Sequence, residues 1–500
     1  MIYINMQLHG DNLHMGIRGT HANGFHNAQA KGMSNGAALS YESLLAMVPV
    51  GVDPYAYIRD FMSTWASVPL SLFASVLLLV FLFLHLLIAG ICLIILILPC
   101  TRRGNQSQWF LKRLYVQKRS GGEDHHTAPL YFANARVLLT ISQLLSSAST
   151  PAFIWFDNGL TTPSQRALRP QVMPAFGLMN LAEILAYWSL SHCFMVTVCY
   201  GHQGQADKST GPLRYFSPSF INCLFILFPL AATAMTTLVV VRVILVTNGV
   251  QSGMAQLFAE LDRGSTIWAQ NAVNPQSPLQ AQLTLTNLEL KRLASETNLL
   301  LVTSFERFRF GECTFLFFSS VSCLIFVALS WVLLRNYQNQ RRNASRKLFR
   351  SQNSQQHENT PSEGDTQCTS AATNISYFNA IKADRQFFHL NIRAMSTFIA
   401  MLINIAVHLI AIIRTADTLS VPYWRGIVSC LAAAGSTFSG IPIAWQCWRL
   451  YTDHAHSTGH TSKENFSTPE KAPNSQVFPT VSSEQLKLEF HLICLINDRT

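Results

Sequence analysis

The residues that could do chemistry are the polar ones that the chain places in apolar surroundings. Glu183 lies near the middle of an apolar stretch running from Val172 to Cys199. An ionised carboxylate at the centre of a bilayer costs about 2.5–3.5 kcal/mol even on the lenient insertion scale, so Glu183 must be protonated, paired or turned toward water. Asn180, Glu183, Tyr187 and Ser191 recur at steps of three or four and therefore share one helical face. Comparable stripes run through Arg136, Thr140, Gln143 and Ser147, and through Arg393, Thr397, Asn404 and His408. His85 sits at the centre of a further apolar run, and Arg242 toward one end of another. Faces of this kind, turned inward together, outline a hydrated cavity for a ligand or ion, with Glu183, Asn180, Tyr187, His85, Arg242, Asn404 and His408 as its candidate lining. The same stripes can instead glue helices together, the commoner role of such residues. Glu183 and Arg242 differ in expected depth by about 9 Å, within partial reach of an arginine, so an ion pair is one expectation. Outward snorkelling of Arg242 is the other.

Several chemistries lack their residues. All ten lysines fall outside the apolar stretches, which removes a retinal-type Schiff base. No phosphate-cradling loop and no paired His-and-acid zinc motif occurs, and no serine or histidine sits in a recognisable nucleophile turn, so an enzyme is not expected. His9, His14, His21 and His26 are spaced five, seven and five apart, without companion cysteines or acids, and no metal site or cofactor is assigned to them.

The elements that must hold these residues are membrane spans. The chain has 500 residues, of which only 12% are charged, where a soluble surface needs about 25%. Leu70 to Leu98 contains no formal charge in 29 positions, more than the roughly 20 residues a helix needs to cross a hydrocarbon core. Further candidates are Leu130 to Phe156, Val172 to Cys199, Phe220 to Val246, Gly311 to Leu334, Phe387 to Ile413 and Trp424 to Trp448. The expected fold is therefore an all-α polytopic bundle of seven transmembrane helices over residues 70–450, with six or eight as the alternatives. Arg102, Arg103, Lys112, Arg113, Lys118 and Arg119 follow the first span closely, whereas Arg59 is the nearest basic residue before it. The amino terminus is thus expected outside and the carboxyl terminus in the cytosol. Carried through seven spans, this puts 21 Lys and Arg on inner segments and 12 on outer ones. The net charge of +10 then reads as topology, with no nucleic-acid partner implied.

The flanking segments have their own expectations. Residues 1–69 read as a largely flexible outer segment. Residues 248–310, too long for a simple connection, show leucines at helical spacing and suggest two amphipathic helices broken near Asn274, Pro275 and Pro278. Residues 335–386 open with Arg335, Arg341, Arg342, Arg346, Lys347 and Arg350 and read as a disordered basic inner loop, able to attract anionic lipid headgroups or a cytosolic signalling protein. Residues 451–500 read as a cytosolic tail. Cys100 and Cys447, beside basic residues at expected inner span ends, are candidate palmitoylation sites. Gly435, Ser436, Ser439 and Gly440 supply small residues for close helix contact.

Seven spans, an outer amino terminus and a basic third inner loop resemble a G-protein-coupled receptor. The chain departs from that pattern at Val196-Thr197-Val198-Cys199-Tyr200, where an acid-Arg-aromatic triplet is usual, and at Gly440-Ile441-Pro442-Ile443, where Asn-Pro-x-x-Tyr is usual. Leu98-Pro99-Cys100, Trp109-Phe110-Leu111-Lys112-Arg113 and Asn134-Ala135-Arg136 are similar to segments of uncharacterised seven-helix membrane proteins of fungi, a resemblance that covers about forty residues and carries no activity. The functional expectation is a receptor-like protein of the plasma membrane, rather than of endomembranes, signalling through its third inner loop. The alternatives are a proton-coupled transporter or transporter subunit using Glu183 and His85, and a scaffold without ligand. The orientation has a direct check, because the Asn-x-Ser/Thr sequons at Asn105, Asn343, Asn374 and Asn465 all fall on expected cytosolic segments. All four should stay unglycosylated in the native protein, and mass-spectrometric detection of a glycan at any of them would overturn it.

Overall fold

Apolar side chains dictate where the helices run, and short polar caps dictate where they begin. A computed structural model describes residues 41–66, 70–101, 111–114, 129–158, 170–200, 217–273, 277–356 and 385–464. The elements are α1 (Tyr41–Leu45), α2 (Pro54–Ala66), α3 (Leu72–Thr101), β1 (Leu111–Leu114), β2 (Leu130–Ala133), α4 (Ala135–Asn158) and α5 (Val172–Tyr200). They continue with α6 (Pro218–Val273), α7 (Ser277–Gln356), α8 (Arg385–Ile413), α9 (Thr415–Ser420) and α10 (Pro422–Glu464). Ser71 caps α3 by accepting from the Ala74 amide at 3.2 Å. Ser217 caps α6 through the Phe220 amide at 3.2 Å, with Pro218 in the first helical turn, where its missing N–H is no loss.

Among the described residues six helices are long and apolar enough to cross a membrane, over Leu72–Ile97, Val137–Asp157, Val172–Tyr200, Pro218–Val273, Pro278–Asn336 and Ala394–Ile413. They make the chain a multi-pass membrane protein. The seventh expected segment lies in α10, whose Ser-, Thr- and Gly-rich sequence is not among the six. Burial ranks them: 83% of the apolar stretch of α5 is covered by protein, against 22% for α3. Helix α5 is therefore central, while α3 exposes Phe73, Phe83 and Leu86, side chains that lipid solvates and water would not.

Two compact units divide the described chain, one built from residues up to Phe61 with Ser252–Leu299 and the other from Met62–Gln251 with Leu300 onward. In the larger, α4 packs on α3 and α5, and α10 packs on α3, α4, α8 and α9. Aromatic contacts join α5 to α6 and α7: Trp188 stacks on Phe228 with centroids 4.1 Å apart, and Phe194 on Phe326 at 5.6 Å. Gly177 and Gly311 lie against Val240 and Val239 of α6, a close approach that a Cβ on either would obstruct.

Several expectations need correcting. The described chain is nearly all helical, as expected, but not every expected helical residue is in a helix: β1 and β2 pair antiparallel from Leu111↔Ala133 to Leu114↔Leu130. The helix of the second span accordingly starts at Ala135 and not Leu130. Asn222 of α6 fixes that strand, donating to the Pro129 carbonyl at 2.7 Å and accepting from the Tyr131 amide at 2.8 Å. Residues 335–356 continue α7 as helix, so this part of the expected disordered loop is ordered, and α10 extends into the expected tail as far as Glu464. The remaining loop residues 357–384, the tail from residue 465, and the four amino-terminal histidines lie outside the described residues. The helix break near Asn274 is as expected, since α6 ends at Val273 and α7 begins at Ser277.

The smaller unit also replaces an expected flexible segment, over residues 41–61, with helices. Leu257 and Leu261 on α6, and Leu290 and Leu293 on α7, are buried at spacings of three or four, so each helix buries one stripe. Asp53 caps α2 through the Tyr55 amide at 2.9 Å and accepts from Ser265 at 2.5 Å. Tyr41 and Tyr55 both donate to Asn287 Oδ1, at 3.1 and 3.0 Å. Burial pushes both phenols above the ordinary tyrosine value, which keeps them neutral donors. Arg59 pairs with Asp262 and Lys291 with Glu42, each at 2.5 Å, but both pairs are exposed and screened by water, so they add little to stability. The Tyr55 ring matters more. It is 2% exposed and packs flat on Gly264, where an added Cβ would meet ring carbons at 2.5–2.8 Å. Gly264→Ala should destabilise this packing by about 1–3 kcal/mol. Amide exchange in α2 would then accelerate, and unchanged protection there would contradict the role given to the contact.

Candidate functional site

Four helices of the larger unit bring their polar faces together around Glu183. The carboxyl is 4% exposed, at the middle of α5. Ser146 of α4 donates to its Oε1 at 3.4 Å, and Asn404 Nδ2 of α8 donates to its Oε2. Asn404 Nδ2 also reaches the Tyr187 hydroxyl at 3.3 Å, one turn along α5. Ser146 in turn meets Ser436 of α10 at 3.0 Å. Hydrogen bonds to a charged group contribute about 1.5–3 kcal/mol each. Asn404 and, at the longer distance of 3.4 Å, Ser146 thus supply the donors that lipid lacks to both oxygens of this carboxyl group.

A second group lies beside the first, because its residues are chain neighbours of the first. His85 of α3 is fully buried, with Nε2 3.3 Å from the Ala433 carbonyl and 3.1 Å from Thr437 Oγ1. Its Nδ1 is 3.5 Å from Ser147, which accepts from Gln143 Nε2 at 2.9 Å. A carbonyl can only accept, so the ring proton is assigned to Nε2. Serines 146 and 147 on α4, with Ser436 and Thr437 on α10, thus tie α3, α4, α5, α8 and α10 into one polar seam.

A third group extends the α8 face. His408, one turn from Asn404, holds Glu312 of α7 through Nδ1 and Oε2 at 2.7 Å, both side chains being 1% exposed. The imidazole stacks on Phe315 with centroids 5.7 Å apart. Glu312 was not among the sequence candidates, although an acid inside an expected span is the same signal that marks Glu183.

Of the sequence candidates, Glu183, Tyr187 and Asn404 are joined directly, while His85 and His408 belong to adjoining groups. Asn180 is buried but donates back to the Phe176 carbonyl at 3.0 Å and does not reach the carboxylate. The expected ion pair between Glu183 and Arg242 does not form. Ser146 and Asn404 occupy the two carboxylate oxygens, and Arg242 is exposed on α6. The backbones of Arg136 and Arg393 are helical, and their side chains lie outside the described residues, as do those of Cys100, Cys447, Arg341, Arg342, Arg346, Lys347 and Arg350. Arg335 is exposed on the continuous α7. Among the described residues no group of three or more His, Cys, Asp or Glu gathers in a metal-binding arrangement. No protein-family model, curated protein or solved structure matches this chain.

Glycine makes the seam possible. A Cβ on Gly435 would collide with Asn404 Oδ1, and one on Gly440 would come within 2.7 Å of Gln143 Nε2. Gly435→Ala should cost roughly 1–3 kcal/mol by thermal unfolding in detergent. Combined with Asn404→Ala it should cost clearly less than the sum of the two, because the second change removes the atom the first one strikes. Additive losses would show that the two residues do not touch.

Proposed function

We propose that the chain is a receptor-like integral membrane protein of seven spans, with α10 as the last, whose polar seam converts ligand binding into movement of α8 and α10. The observation that carries this reading is the buried Glu183 carboxyl held at once by α4 and α8, with Ser146 linking it on to α10. Such a node is bistable: its bonds are either made in the low-dielectric interior or replaced as a set, so a small displacement at one helix is felt by the others. The distribution of Lys and Arg supports an outer amino terminus and a cytosolic end of α7, where the stretch from Arg335 to Arg350 would meet anionic headgroups or a signalling protein. The plasma membrane is the proposed location.

A second reading, proton-coupled transport using Glu183 and His85, is favoured by a further buried acid and imidazole, Glu312 and His408, which adjoin Asn404 and Glu183. Buried ionisable residues of this kind serve proton relays in other membrane proteins. One substitution separates the two. Glu183→Gln keeps the shape and removes the titratable group. The receptor reading predicts altered amide exchange in α8 and α10 of this variant, and no dissipation of a pH gradient by the wild-type protein in proteoliposomes. A gradient-dissipating flux that Glu183→Gln abolishes would overturn it in favour of transport, and unchanged exchange without flux would contradict both.

A further inference from the structure

In the smaller unit one side of α7 packs and the opposite side stands open. Thr286, Leu290, Leu293 and Thr297 are buried. Gly253 of α6 lies against Thr297, and the Tyr41 and Tyr55 hydroxyls reach Asn287, so the rest of the unit covers that side. At about 100° per residue the other side carries Leu285, Leu288, Arg292, Ser295 and Leu299. Its three leucines are 68–69% exposed. Glu289, Lys291, Arg292 and Glu296 crowd the same stretch, more charge than hydrocarbon accepts, so lipid does not solvate these leucines.

Spacing and charge together say what covers them. Leu285, Arg292 and Leu299 recur every seven residues, with Leu288 and Ser295 three places after the first two, the a and d pattern of a coiled coil. With Leu285 at a, Lys291 occupies a g position and Glu296 the e position of the next heptad. A parallel pair brings each g residue to the e residue five places on in the other strand, so Lys291 of each copy meets Glu296 of the second. Glu289, the other charge at e, meets Thr284, and no like charges oppose on the flanks. Two copies in one membrane are also bound to be parallel here, because α7 runs on into a membrane span. Within its own chain Lys291 pairs with Glu42, a contact exposed at both ends, and its ammonium keeps donors for a second carboxylate. Arg292 is the polar residue at a. Glu289 and Glu296 hold its guanidinium to one side at 2.5 and 2.7 Å, away from its counterpart across the seam. A single polar a residue fixes register and strand number at some cost in stability.

We propose that this stripe is a homodimer interface, in which two copies of the chain join their α7 helices in parallel through Leu285, Leu288 and Leu299, with Lys291 and Glu296 bridging on both flanks. The contact is self-complementary, as a two-fold dimer requires. It is independent of the receptor reading.

The experiment mixes donor- and acceptor-labelled full-length chains in phosphatidylcholine vesicles and follows energy transfer as lipid dilutes them. Wild-type copies should pair. Leu288→Ser combined with Leu299→Ser should weaken pairing at least about a hundredfold, from the apolar area withdrawn from the seam. Lys291→Glu and Glu296→Lys should each lose pairing with their own kind, by placing like charges on both flanks. Mixing these two variants should restore it, since opposite charges then meet on each flank. Only contact between copies produces that recovery, so the test stays decisive where the serine variant does not fold. A monomeric wild-type chain, pairing indifferent to the serine changes, or charge variants that do not recover on mixing would each overturn the interface. So would an amine-reactive cross-link from Lys291 to Lys31 within monomers, which would put residues 1–40 on the stripe instead.

Discussion

A carboxylate that lipid cannot solvate has to be solvated by helices, and the arrangement around Glu183 follows from that requirement. Each hydrogen bond to a carboxyl oxygen contributes about 1.5–3 kcal/mol where the group is charged, the same scale as the insertion cost of about 2.5–3.5 kcal/mol, so the donors around Glu183 are what lets it sit there. The two donors come from different helices, Ser146 on α4 and Asn404 on α8, so satisfying the charge fixes the positions of both against α5. Satisfying those donors draws in α10, through Ser436 and through the absence of a side chain at Gly435. The apolar clusters around Tyr187 and around Phe176 fill the space between these helices, but shape-filling alone permits many rotations of each helix about its axis. The polar seam selects one of them.

How far this was legible in the sequence depends on what each residue's environment needed. Glu183, Tyr187 and Asn404 stood out because polar groups in apolar runs must find partners, and the period of the helix says which of them share a face. Their partners are harder to read: serine is cheap to bury, so Ser146 carries no signal of its own and Ser436 reads only as a small residue for close helix contact. Asn180 misled because a helical face is broader than a contact, and its amide found the Phe176 carbonyl on its own helix first. Depth alone puts Arg242 within partial reach of Glu183, but its position around α6 leaves it exposed. Glu312 carries the same signal as Glu183, an acid inside an apolar run, but at the edge of the Gly311–Leu334 stretch.

The fold shows the same division. Apolar runs announce spans, and the break near Asn274 announces the end of α6. Helix boundaries in polar sequence are weaker signals, so the continuation of α7 through Arg335 to Gln356 read as loop, since polarity and charge suit a solvated helix as well as a disordered chain. The strand Leu130–Ala133 read as the start of a span because four apolar residues carry no period; its pairing with Leu111–Leu114 and its attachment to Asn222 are tertiary facts. Tyr55 on Gly264 is tertiary in the same sense, since nothing local in either residue announces the other.

The central claim is that the Glu183 carboxyl is held by Asn404 and Ser146 and by no residue of its own helix face. Difference infrared spectroscopy of the purified protein reads this directly, because the carboxyl band lost in Glu183→Gln reports its hydrogen bonding. That band should shift in Asn404→Ala and in Ser146→Ala and stay in place in Asn180→Ala. A band indifferent to Asn404→Ala, or one moved by Asn180→Ala alone, would contradict the account.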